Sequence, residues 1–140
     1  MTRNIFSSVL LLLLVSSGFQ CQKHTSVQAL SIPPAMMIYN GKLVIAGPCA
    51  NYVIQVPPGE VDTSLVMASW KDPSTDSIYT NVFTVSSYCT FAGYNLVKGD
   101  SLSFSFDPDP PAQTCTRCDI YVPTPSVSHA VTDVNKITTP

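Results

Sequence analysis

From Ala35 onward the chain is written as short apolar runs broken by turn-forming residues. Its most regular stretch is Ser101–Phe106, where Leu102, Phe104 and Phe106 alternate with Ser101, Ser103 and Ser105. A period of two predicts a strand with one face buried and the other wet. Leu43, Val44 and Ile45 have no polar partner face and predict a strand near the centre of a sheet. Tyr52, Ile54 and Val56 against Val53 and Gln55 predict a strand with one face partly in water. Asn40-Gly41 lies between two apolar runs and predicts a tight hairpin turn, since both residues accept positive φ. A further strand is expected over Tyr79–Val85, from its aromatic and β-branched content.

The remaining runs are less regular. Asp62 or Thr63 is a candidate cap for a helical turn, but Val66, Ser69 and nearby prolines favour a short strand over Leu65–Trp70. Lys71 to Asp76 then forms a turn. Ser86 to Asp100 reads as a connection carrying Cys89, Phe91, Gly93 and Tyr94 and closing on Lys98-Gly99-Asp100. Asp107-Pro108-Asp109-Pro110-Pro111 stops the alternating strand. Ile120–Val122 and Val127–Val134 predict two more strands, the second at an edge. With 12 prolines and 6 glycines punctuating these runs, the expected class is all-β, a small barrel or sandwich. The order of the runs suggests an OB-like barrel, an analogy that carries no function.

The other end of the chain has a different pattern. Arg3 precedes an apolar block, Val9–Val15, with five consecutive leucines, and Ser16-Ser17-Gly18-Phe19-Gln20-Cys21 follows. This is the build of a secretory signal, too short for a permanent span of ~20 apolar residues. The segment resembles a bacterial lipoprotein signal: a positive charge, a leucine core, then a cysteine followed by a polar run. The resemblance covers these first residues only, with Gly18, Phe19 and Gln20 in the places before the cysteine. It implies cleavage before Cys21 and a lipid on the Cys21 sulfur; cleavage after Gly18, giving a secreted soluble protein, is the alternative. The expected organisation is a signal peptide (1–20), a lipid-attached polar tether (21–34), a β-domain (35–134) and a flexible tail (135–140). Pro33-Pro34 stiffens the tether.

Export sets how the cysteines are read, because an oxidising compartment favours disulfides. The chain has 5 Cys; assigning Cys21 to a lipid leaves Cys49, Cys89, Cys115 and Cys118, an even set of disulfide candidates. Cys49 and Cys89 both fall at strand ends, so a long bridge between them is expected, with Cys115 closing on Cys118. Charged residues make up only 11% and the lysines are scattered singly, which argues against nucleic-acid binding through clustered phosphate contacts.

Four groups are candidates for chemistry. Cys115-Thr116-Arg117-Cys118 has the spacing of a redox or zinc pair, yet β-forming residues follow where a thioredoxin-type site needs a helix N-terminus. Asp107 and Asp109, with Asp119 nearby, alternate as calcium ligands do but lack the glycine and further oxygens of such a loop. His129 is the only histidine in the expected domain, and no Gly-x-Ser-x-Gly elbow accompanies it. Tyr52, Trp70, Tyr79, Tyr88, Phe91 and Tyr94 offer either core packing or a binding surface, and Trp70 is expected to anchor a sheet face. The reading that follows is an exported, membrane-tethered β-domain without catalytic, cofactor or metal residues. Its role is binding or structural, toward an envelope protein or glycan. The alternative is a thiol-redox or metal-binding factor built on Cys115 and Cys118.

Overall fold

A computed structural model of the chain describes residues 37–116, 118 and 121–138. The chain divides into two units, Met1–Leu30 and Ser31–Pro140, and every described residue belongs to the second. The signal, Cys21 and the tether lie outside the described residues, as do Arg117, Asp119 and Ile120.

The described residues form an all-β domain. Its strands are β1 (Tyr39–Gly47), β2 (Asn51–Gln55), β3 (Met67–Lys71), β4 (Ile78–Val85), β5 (Ser101–Phe106), β6 (Ser128–His129) and β7 (Val131–Ile137), with one short helix, α1 (Tyr88–Ala92). They make one sheet in the order β3-β4-β2-β1-β5-β7, with β6 pairing β4. All pairings are antiparallel except the parallel β4–β6 contact. The sheet is not closed into a barrel by continuous ladders, so of the expected barrel or sandwich the small all-β domain is sandwich-like and not a closed OB-like barrel. It does curl: β6 and β7 are one segment interrupted at Ala130, paired to β4 at its start and to β5 along its length.

Irregular residues produce the curl. The register shifts between Leu43 and Ile45 on β1 and between Ser103 and Ser105 on β5. Asn81 in β4 and Asp133 in β7 have φ of 52° and 50°. Asn and Asp enter this left-handed region more readily than other non-glycine residues, and bulges of this kind bend a strand.

The curled sheet encloses one cluster built from Leu43, Ile54, Phe83, Phe91, Leu102, Phe104, Phe106 and Val131 with their neighbours. Phe83 packs its ring against Phe104 and Phe106, at centroid distances of 5.6 and 5.5 Å. The alternating strand is thus placed as its pattern demanded, although Ser105 is buried too. Val44, Val53, Trp70 and Val82 form a smaller cluster. They alternate along their strands with Leu43, Ile54 and Phe83, so they occupy the opposite face of the sheet. Trp70 is buried there and stacks on Tyr79.

Several local expectations are corrected. Asn40-Gly41 is no hairpin turn; it lies inside β1, pairing with Ser103 and Leu102 of β5. Glycine is needed for close approach, since a Cβ on Gly41 would sit 2.7 Å from Ile54 Cγ2 and 3.1 Å from the Gln55 carbonyl oxygen. The Leu65–Trp70 run divides into a 3-10 turn, Thr63–Leu65, and β3. Asp62 caps the turn by accepting the Ser64 amide at 2.8 Å. Tyr121 and Val122 belong to no strand, and Tyr121 is 87% exposed. β7 runs to Ile137, so Asn135–Ile137 of the expected tail are sheet.

Candidate functional site

The four domain cysteines are all oxidised, in a pairing that differs from the expected one. Cys49 is bonded to Cys118 and Cys89 to Cys115, with Cα separations of 5.1 and 5.6 Å. Cys115 and Cys118 therefore do not form a redox or zinc pair with each other. Cys49 sits in the 3-10 turn after β1 and Cys89 in α1. The ring of Tyr52 in β2 lies 4.9 Å from that of Phe91 in α1, which brings the two elements together at one rim of the sheet. After β5, Cys115 is pinned to α1 through Cys89 and Cys118 to the 3-10 turn through Cys49. The Cys89 amide donates to Gln113 Oε1 at 2.9 Å, so a side-chain hydrogen bond supports the nearer bridge.

His129 is half-buried in β6. Its ring lies 5.0 Å from Phe106 and 5.7 Å from Phe83, and Nε2 is 3.1 Å from the Leu65 carbonyl oxygen. Burial pushes its pKa below the ordinary histidine value, and the Leu65 hydrogen bond opposes this only in part. The imidazole is a packing group that ties β6 to the 3-10 turn before β3. Asp107 accepts the Asp109 amide at 3.0 Å in a local turn, and among the described residues no His, Cys, Asp and Glu cluster has metal-binding geometry.

The open surface of interest is one that no linear pattern marks. On the sheet face bearing Trp70, shallow recesses adjoin one another. One of ≈ 440 Å³ is bounded by Lys42, Gln55, Pro57, Pro58, Thr80 and Ile137. A second, of ≈ 250 Å³, shares Lys42 and Gln55 and adds Tyr79, Lys98 and Gly99. A third, of ≈ 230 Å³, shares Lys98 and reaches Trp70, Asn51 and Asp72. Backbone bonds hold the turn carrying Lys98 against β1: Gly99 N donates to the Leu43 carbonyl at 2.7 Å and Leu43 N to the Asp100 carbonyl at 2.9 Å. Gly99 has φ of 99°, which favours glycine in that turn. Gln55 donates through Nε2 to the Thr80 carbonyl at 3.0 Å, fixing the floor.

Asp72 closes the far end. Burial raises its carboxyl, but the Ser74 amide, the Thr75 and Ser74 hydroxyls and the charge of Lys98 outweigh burial and leave it below the ordinary value. It is therefore an anion at neutral pH. Of the aromatic set, Phe91 is core, Tyr52 packs on it and Trp70 is buried beside Tyr79; Tyr79 lines the second recess and Trp70 the third. Compared with known proteins, this chain matches no family model, no curated protein and no solved structure.

Proposed function

We propose that the protein is an exported β-domain, tethered to a membrane through a lipid on Cys21, with a non-catalytic binding or structural role in the cell envelope. The observation that carries the extracytoplasmic part is the pair of disulfides, Cys49–Cys118 and Cys89–Cys115, which belong to an oxidising compartment. Among the described residues no helix is long and apolar enough to cross a membrane; the tether reading rests on the Arg3, leucine-core and Cys21 pattern of the N-terminal segment. The non-catalytic part is supported by what the reactive side chains do: four cysteines are bridged and His129 is packed between phenylalanines. Acyl-chain labelling tests the anchor. Wild-type protein takes up label and partitions with membranes, whereas Cys21→Ser does neither. An unlabelled wild-type protein beginning at Phe19 would overturn the tether.

A further inference from the structure

We propose that the recessed sheet face centred on Lys42 and Lys98 binds an extended acidic glycan, one whose sugars carry carboxylates. Charge gives the first reason. Lys71 pairs with Asp76 at 2.6 Å and Lys136 with Asp100 at 2.8 Å. Lys42 and Lys98 have no carboxylate within ion-pair distance among the described residues, and both border the same recess. The Asp72 carboxylate feels Lys98 from the next recess along. The recess that both lysines line holds no carboxylate among its lining residues, although the whole chain carries a formal charge of -2. Lys42 and Lys98 line one recess, on a strand and a turn docked by the Gly99–Leu43 backbone bonds, and so suit an anionic group placed between them.

The polymer class follows from what surrounds the lysines. Gln55, Thr80 and Ser101 line the recess on one side with an amide and hydroxyls, groups that both donate to and accept from sugar hydroxyls. Tyr79 supplies an aromatic wall for the apolar side of a sugar ring. One recess falls in the lower part of the ~300–1,000 Å³ range of a drug-sized site and two fall below it, so each takes a small unit, and their shared walls make a track for a chain of units. Two cations are too few to hold a nucleic acid, whose affinity rests on many phosphate contacts. A peptide adding as a strand needs an unpaired edge. Lys42, Gln55 and Tyr79 lie on β1, β2 and β4, each hydrogen-bonded to a neighbour on both sides.

The proposal rests on the binding reading above but not on the anchor, and its test uses the oxidised exported protein in solution. Failure of glycan binding therefore leaves acyl labelling at Cys21 to be judged separately. Trigalacturonate is titrated while backbone amides are followed by NMR, with galactotriose as the neutral control. The acidic trisaccharide is expected to shift Lys42, Gln55, Tyr79 and Gly99, to bind more tightly than the neutral one and to weaken with added salt. Lys42→Gln and Lys98→Gln, both at exposed positions, should each weaken it roughly threefold to fivefold. Lys71→Gln, whose lysine is already paired, should not. The proposal is overturned if those amides do not move, if galactotriose binds equally well, or if Lys71→Gln weakens binding as much. An acidic peptide or oligonucleotide of equal charge binding as tightly would overturn the glycan class.

Discussion

At His129 a hydrogen bond and burial act in opposite directions, and burial dominates. The native state therefore prefers the neutral imidazole, whereas the unfolded chain titrates at about 6.5. Between the depressed native value and about 6.5 the unfolded state binds more protons, so stability falls as pH falls through that window. Equilibrium unfolding followed from pH 8 toward pH 5 should show full stability above about 6.5 and progressive loss below it. His129→Gln should flatten that part of the profile. Carboxylates such as Asp62 and Asp100, held below their ordinary value by hydrogen bonds, lose their contribution only at more acid pH, so the two effects separate along the pH axis.

Among the elements, β5 is the one whose sequence and structure agree most directly. Phe104 is fully buried between Tyr39, Phe83 and Phe106, while Ser103 on the other side is only half-buried. Phe104→Ala should cost about 3–5 kcal/mol of unfolding free energy. Ser103→Ala should stay within about 0.5 kcal/mol, and chemical denaturation of the two variants compares them directly. Similar shifts for both would contradict the facing of the strand. β1 gives the opposite lesson. The local signal at Asn40-Gly41 is a turn, but glycine there lets β1 lie against Ile54 and Gln55 of β2. Asn40 is held by Glu60, which accepts both its backbone N–H and its Nδ2 through Oε1. Both partners are far along the chain, and a short-range pattern carries no trace of them. Helix α1 was equally invisible because five residues give no helical periodicity.

For the whole molecule, the two bridges matter through the length of chain they close. Cys49–Cys118 spans 69 residues and Cys89–Cys115 spans 26. Taken singly, loop entropy assigns them about 4 and about 3.5 kcal/mol, so neither is a merely local clip. Cys49→Ala and Cys115→Ala should both lower Tm substantially and by similar amounts. The expected Cys115–Cys118 closure would instead have made the second variant nearly neutral. Peptide mapping without reduction should recover Cys49 joined to Cys118; recovery of a Cys49–Cys89 peptide would contradict the arrangement.

By itself the sequence determined the properties that depend on neighbours along the chain. The strand pattern at Leu102, Phe104 and Phe106, the all-β class and the suitability of four cysteines for bridging are of this kind. Their causes are local: side-chain alternation, turn-residue preference and the oxidation state an exported chain meets. What only the tertiary structure decided depends on residues far apart in the chain. The sheet order, the curl through Asn81 and Asp133, and the choice of Cys118 for Cys49 are set by long-range packing at one rim. The surface formed by Lys42, Gln55, Tyr79 and Lys98 is the furthest case. Its members come from three strands and a turn, and they meet because two backbone hydrogen bonds dock that turn on Leu43.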